Sequence, residues 1–124
     1  MDERREGMNH SLFTYGTLMV RKMMQDLLQK ELAEPQQALL RGYRKYPSSY
    51  GYPFIIADNS SDVKGILWGG LTDHDLKILD DYEGIFDSPP LYFRQFEEVY
   101  ISQKCQKEIK AWIYVGNPIF FGKA

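Results

Sequence analysis

The strongest candidate for acid–base chemistry in the sequence is Glu83. It lies directly before Gly84, at the end of a helix that apolar spacing predicts over residues 72–82. A carboxylate there faces the negative end of the helix dipole, and Asp80 and Asp81 lie close in sequence, so both effects raise its pKa. A general base that works near neutral pH needs a carboxylate of this kind. A solvated acidic helix end is the alternative explanation, above all for Asp80 and Asp81.

The second candidate is the turn formed by Tyr15, Gly16, Thr17 and Leu18, between the first predicted strand and the first predicted helix. Glycine allows a sharp turn, and consecutive backbone N–H groups in such a turn can converge on an anion. The start of the following helix adds positive partial charge. The turn is therefore a candidate anion site, although an ordinary strand-to-helix connection explains the same residues.

Six predicted strands and two predicted helices must position these two segments. Thr72 is a predicted N-cap of the second helix, and a loop is predicted at residues 58–61. The strands are predicted at Ser11–Tyr15, Ala38–Tyr46, Phe54–Ala57, Val63–Leu71, Tyr92–Ile101 and Glu108–Val115, and the helices at Val20–Leu32 and Thr72–Tyr82.

The order of these elements predicts an α+β fold, because strands and helices do not alternate as they do in a parallel sheet. We expect a small, mostly antiparallel β-barrel flanked by two helices. Three glycines in the fourth predicted strand, Gly65, Gly69 and Gly70, indicate a bulge or a close approach of another segment, which would help the sheet to curl.

Length and charge exclude several classes of protein. The 124 residues predict a single domain over residues 1–124, with residues 1–10 as a loose tail. The 15 basic and 17 acidic residues give a net charge of −2, which argues against a nucleic-acid partner. Apolar runs are too short to span a membrane, and the polar N-terminus does not resemble a signal peptide, so we expect a cytoplasmic protein.

Cysteine and histidine are too scarce for the common metal and disulfide sites. The single cysteine, Cys105, lies in a polar stretch that predicts a hairpin turn, and a surface thiol without a role explains it best. Two histidines make a histidine-based metal site hard to build, and no cluster has metal-ligand spacing. We therefore expect no metal.

Taken together and in this order, the motifs resemble the gamma-glutamylcyclotransferase-like superfamily, in the short branch that includes the AIG2-like proteins and the gamma-glutamylamine cyclotransferases. The resemblance covers roughly residues 11 to 116. It rests on Tyr15-Gly16-Thr17-Leu18, on Gly42 with Tyr46-Pro47, on Val63-Lys64-Gly65, on Leu79-Asp80-Asp81-Tyr82-Glu83-Gly84, on Tyr92-Phe93-Arg94 and on Ala111-Trp112-Ile113-Tyr114.

The resemblance implies a barrel with a pocket at its mouth and a cofactor-independent release of 5-oxoproline from a small γ-glutamyl substrate. It implies that residues 15–18 bind the α-carboxylate end of the substrate and that Glu83 is catalytic. Tyr92, Arg94 and Tyr114 are candidates to line or support the pocket. For Arg94 a structural salt bridge and a substrate contact are equally open.

Two other functions remain open at this level. A non-catalytic module that binds small carboxylates would keep the barrel and the pocket, although a retained Glu83 argues against a pure carboxylate binder. A barrel that contacts RNA or protein through surface aromatics would need a basic stripe that the sequence lacks. The sequence identifies neither the departing amine nor the oligomeric state; we expect the loops at residues 43–53 and 85–91 to set substrate specificity.

Overall fold

The structure is a computed structural model that describes residues 10–48, 51–101 and 107–121. Five strands close into a barrel in the order β1-β3-β2-β4-β5, and short helices lie between and after them. The elements are β1 (His10–Thr14), a 3-10 turn (Thr17–Met19), α1 (Arg21–Leu28), β2 (Gln36–Tyr46), β3 (Phe54–Leu71), α2 (Asp73–Tyr82), β4 (Tyr92–Ile101), β5 (Lys107–Gly116) and α3 (Pro118–Phe121).

The barrel is mostly antiparallel, which confirms the predicted α+β class. Neighbouring strands pair antiparallel except β1 and β5, which meet in parallel at Leu12 and Trp112. Side chains alternate along β5: one set fills the barrel interior and the other packs toward the helices. Ala111 and Ile113 belong to the interior cluster, and Tyr114 belongs to the outer one.

The predicted count of six strands is wrong by one because β3 is continuous through the predicted loop at residues 58–61. The register against β2 nevertheless shifts there: Arg41 pairs with Asp62 but Tyr43 pairs with Ala57. The Asp58 carboxylate accepts a bond from the Ser60 backbone N–H at 3.0 Å, the local contact that favours a turn. The residues at 58–61 therefore do bend the chain, as predicted, but they form an irregularity within β3 and not a loop. β3 pairs with β2 both before and after this irregularity.

The close approach predicted for the glycines in β3 occurs at Gly65. A Cβ atom there would lie 2.2 Å from the Thr14 backbone oxygen and 2.6 Å from the Phe13 ring. Gly69, in contrast, has open space around it. Gly65 therefore lets the end of β1 lie against β3 directly before the turn that starts at Tyr15.

Helix α2 follows its sequence signals closely. The Thr72 side chain caps the helix by accepting from the Asp75 N–H, and the Asp75 carboxylate accepts from the Thr72 N–H. Glu83 is the C-cap residue, and Gly84 adopts a φ of 76°, a conformation that favours glycine. These local signals place Glu83 at the predicted helix end.

Helix α1 ends four residues earlier than predicted, at Leu28, because Gln29 adopts a left-handed φ of 57°. The chain then folds back on the helix: the Leu32 N–H donates to the Gln25 side chain at 3.0 Å, and Arg21 donates to the Leu32 carbonyl at 2.7 Å. Leu32 is still buried, as the apolar spacing predicted, although it lies outside the helix.

Two further predictions concern the N-terminal tail and the cysteine. His10 begins β1, so it does not belong to the predicted tail, and residues 1–9 lie outside the described residues. Cys105 and its predicted turn also lie outside them. The short helix α3 was not predicted, and its Phe121 stacks on Phe54 with ring centres 4.3 Å apart. None of the helices in the described ranges has the length and apolar character needed to cross a membrane.

Candidate active site

One pocket at the mouth of the barrel contains both candidate segments. The space between its lining atoms is roughly 370 Å³ and is continuous with the solvent. Glu83 lines the pocket from the end of α2. The turn after β1, far earlier in the sequence, lines the same pocket. The lining residues are Phe13, Thr14, Tyr15, Gly16, Thr17, Leu18, Tyr52, Pro53, Glu83, Tyr92 and Tyr114.

Glu83 is a partly buried carboxyl whose pKa is raised from 4.5 to about 7. Burial is the main cause, because it disfavours the charged form, and the negative charge of Asp80 is the second. Asp81 is exposed, so it fits the alternative of a solvated acidic helix end. A pKa near 7 lets Glu83 both accept and return a proton close to neutral pH.

Asp80 does not fit that alternative, since only 4% of it is exposed. Its Oδ1 accepts a hydrogen bond of 2.7 Å from the Tyr114 hydroxyl and lies 2.7 Å from Arg94 Nε. The Arg94 Nε–H does not complete a well-directed hydrogen bond, so this second contact is ionic. The Arg94 guanidinium carbon also lies 4.2 Å from the centre of the Trp112 ring.

The turn is a single 3-10 turn that begins directly after Gly16, and the Met19 N–H donates to the Gly16 carbonyl at 3.0 Å. The first N–H groups of a helical turn find no partner within it, so those of this turn are suited to an anion. A Cβ atom on Gly16 would lie 3.2 Å from Pro53 Cγ, so glycine also keeps the turn close to the opposite side of the pocket.

Buried polar contacts hold the turn in place. Trp68 Nε1 and the Thr14 hydroxyl donate to the Leu18 carbonyl at 3.0 and 3.3 Å. Lys45 Nζ donates to the Tyr15 carbonyl at 3.1 Å. Because these bonds satisfy its carbonyls from outside, the turn has a fixed shape before any ligand binds.

Three tyrosines form fixed sides of the pocket. The Tyr15 hydroxyl donates to the Tyr114 carbonyl, the Tyr92 hydroxyl donates to the Pro53 carbonyl at 2.6 Å, and the Tyr114 hydroxyl donates to Asp80. Burial raises the pKa of each phenol well above its ordinary value. The three rings are therefore neutral near pH 7, and Glu83 is the acid or base among the pocket-lining residues that titrates there.

The structure brings together seven of the eight residues predicted for the site. Tyr92 and Tyr114 line the pocket with Glu83 and the turn, whereas Arg94 lies outside the lining and pairs with Asp80. Of the two loops predicted to form the rim, the first contributes Tyr52 and Pro53, while residues 85–91 contribute nothing to the lining.

Sequence reasoning missed Phe13 and Thr14 as lining residues and missed the buried role of Asp80. Phe13 and Thr14 directly precede the turn, so their position next to it was the available signal. Among the described residues, no group of three His, Cys, Asp or Glu side chains could hold a metal ion.

The described residues thus form a closed five-stranded barrel, with a pocket at its mouth that contains the Glu83 carboxyl and the glycine turn. The chain belongs to the family described as gamma-glutamyl cyclotransferase, AIG2-like, whose model matches residues 12–122. The resemblance inferred from the short motifs is thereby confirmed.

A relative from Arabidopsis thaliana agrees with that family, and solved structures share the fold. AIG2-like protein C of Arabidopsis thaliana is 30% identical over 118 residues, which cover 92% of this chain and 65% of that protein. The chain thus spans just under two thirds of that relative's length. A solution structure from Arabidopsis thaliana matches with a TM-score of 0.76 at 22% identity, over 94% of this chain and 77% of that one.

A solved gamma-glutamyl cyclotransferase matches with a TM-score of 0.66 at 18% identity, over 88% of this chain and 67% of that one. At this level of identity the likeness shows the fold alone.

Proposed function

We propose that this protein is a gamma-glutamyl cyclotransferase, which cleaves a γ-glutamyl amide and releases 5-oxoproline without a cofactor. The observation that carries the proposal is the shared pocket of Glu83, whose pKa is about 7, and the glycine turn at residues 15–18. Membership in a family of that description supports it.

In the proposed reaction, the α-amine of the substrate attacks its own γ-carbonyl carbon. A C–N bond closes the five-membered lactam, and the bond to the departing amine breaks. The attack is intramolecular, so a pocket that holds the substrate folded supplies much of the rate. The enzyme is then formally an acyltransferase whose acyl acceptor is the substrate's own nitrogen.

Glu83 moves the protons of this reaction. The α-amine is normally protonated, and the lactam nitrogen keeps one hydrogen, so two protons must leave it. The Glu83 carboxylate accepts each in turn and passes it to the departing amine, which leaves as an ammonium ion. To serve as both base and acid, Glu83 must have its charged and neutral forms present in similar amounts. A pKa of about 7 provides this near neutral pH. A carboxylate with its ordinary pKa would be a weaker base and seldom an acid at that pH.

The turn holds the anionic end of the substrate. Its backbone N–H groups offer donors to the α-carboxylate, and its carbonyls are already bonded to Lys45, Thr14 and Trp68. Binding the carboxylate at the turn would leave the rest of the γ-glutamyl group to reach Glu83 in the same pocket. We propose a small γ-glutamyl compound as the ligand, and Tyr52 and Pro53 as contacts for the departing group.

The experiment that tests this function is a substrate screen scored by 5-oxoproline. Purified protein is incubated with γ-glutamyl amines, γ-glutamyl dipeptides and glutathione, and the product is quantified by mass spectrometry. Release of 5-oxoproline from at least one class is expected. Calorimetric binding of these compounds with no product would instead support the non-catalytic binding module, and neither binding nor product would reject the site.

A further inference from the structure

Directly behind the pocket lies a buried ion pair that the proposed reaction does not use. Asp80 is one turn before Glu83 on α2, and the Arg94 side chain that faces it comes from β4 and is 23% exposed. A single oxygen, Asp80 Oδ1, receives both the Arg94 Nε contact and the Tyr114 hydroxyl. The pair thus touches one side of the pocket, Tyr114, without lining it.

The charged and titratable groups around Glu83 come from several segments of the chain, including Tyr52, which lines the pocket from the segment before β3. Asp80 comes from α2, Tyr15 from the end of β1, Tyr92 from β4 and Tyr114 from β5; each of the three phenols feels the Glu83 charge. Because the phenols are neutral near pH 7, Asp80 supplies the fixed negative charge in this set. Arg94 is the cation bound to that carboxylate.

The position of Arg94 is itself constrained. The Trp112 ring lies under its guanidinium group, and Phe96 packs on Trp112 with ring centres 4.6 Å apart. A planar guanidinium held between a carboxylate and an indole has little freedom to turn away. The positive charge is therefore held against Asp80 Oδ1, the same oxygen that accepts from the Tyr114 hydroxyl.

We propose that Arg94 is a positioning residue that acts through Asp80: by compensating the Asp80 carboxylate, it sets the charge that Glu83 faces and holds the Tyr114 side of the pocket. This inference rests on the proposed function, since it assigns a purpose to the protonation of Glu83. It explains why the cation lies outside the pocket, where it cannot bind the substrate's carboxylate in place of the turn.

Changes to the two partners should move the protonation of Glu83 in opposite directions. Arg94→Met leaves the Asp80 charge uncompensated, so the Glu83 pKa should rise by about one unit. Asp80→Asn removes the repulsion and leaves the Arg94 charge, so the pKa should fall by about one unit. A merely structural ion pair would disturb folding in both variants but would not produce shifts of opposite sign.

The test is a carbon-13 NMR titration of the Glu83 side-chain carboxyl, assigned by its loss in Glu83→Gln. The wild type, Arg94→Met, Asp80→Asn and the double variant are compared, with Lys110→Met as a control. Lys110 forms an exposed pair with Glu98 at 3.8 Å on the same hairpin, so its loss removes one positive charge away from the site. The control should leave the Glu83 titration unchanged.

Shifts of opposite sign in the single variants, with the double variant between them, are the expected result. Shifts of the same sign, or none, would overturn the inference. If Arg94→Met fails to fold, Asp80→Asn is compared with the double variant, which removes both charges and so leaves no buried charge unpaired. These two proteins differ only in the Arg94 charge, so the Glu83 pKa must be higher in the double variant.

The titration needs no turnover, so it separates this inference from the proposed function. Opposite shifts in a protein that releases no 5-oxoproline would support the ion pair's role and reject the reaction. Unchanged titrations in an active enzyme would reject the ion pair's role alone. In an active enzyme, the acid limb of the kcat/KM profile should move with the NMR value in each variant.

Discussion

Replacing Glu83 by glutamine should stabilise the protein at alkaline pH while it removes the proposed base. Glutamine has nearly the shape of glutamate but does not ionise, so it keeps the side chain in the pocket without the buried charge. The folded-state pKa of Glu83 is about 7, above its ordinary value of 4.5. The stability linked to Glu83 is therefore fully present below pH 4.5 and is lost as the pH rises through about 7.

The size of the effect follows from the two pKa values. Ionising Glu83 in the folded rather than the unfolded protein costs about 0.8 kcal/mol at pH 5 and about 3.3 kcal/mol at pH 8. The free energy of unfolding of Glu83→Gln, relative to wild type, should then increase by about 2.5 kcal/mol between these pH values. Contributions from other groups, such as the lowered pKa of Asp75, are common to both proteins and cancel.

The assay is urea unfolding of both proteins at pH 5 and pH 8, followed by circular dichroism. Asp81→Asn is the matched control, because Asp81 is an exposed carboxylate two residues away and should show no comparable pH-dependent gain. A relative stability of Glu83→Gln that is the same at both pH values would refute the raised pKa, and with it the reasoning that makes Glu83 a base near neutral pH.

Three further predictions address the fold and the site. Gly65→Ala should destabilise the protein by about 2–3 kcal/mol in urea unfolding, because its Cβ would overlap the Thr14 backbone oxygen, whereas Gly69→Ala has open space and should change stability by less than about 0.5 kcal/mol. Gly16→Ala should raise KM in the 5-oxoproline assay more than it lowers stability, since its Cβ would press on Pro53; an unchanged KM would argue against substrate contact at the turn. The acid limb of the kcat/KM profile should fall near pH 7, and a limb near pH 4.5 would contradict an elevated Glu83 pKa.

What the sequence predicted well depends on local signals. Helix α2 begins at the Thr72 cap and ends before Gly84 because those residues satisfy the helix termini by themselves. These local signals are sufficient to place Glu83 at the end of the helix. The turn after β1 was also visible, because Gly16 and the strand before it are adjacent in sequence.

What the sequence did not predict depends on partners far along the chain. Asp80 is buried because Tyr114, 34 residues later, and Arg94 satisfy its carboxylate, and nothing near Asp80 in sequence indicates those contacts. The early end of helix α1 is a more local case: Gln29 adopts a left-handed conformation, and Leu32 then bonds back to Gln25 in the same helix.

The central claim is that Glu83 transfers protons in the release of 5-oxoproline, and turnover by Glu83→Gln tests it most directly. With the best substrate from the screen, initial rates of 5-oxoproline release at pH 7.5 are compared for wild type, Glu83→Gln and Asp81→Asn, all with matching circular dichroism spectra. General acid–base catalysis predicts that Glu83→Gln loses at least about a hundredfold in kcat, while Asp81→Asn stays close to wild type. A folded Glu83→Gln protein with wild-type turnover would contradict the account.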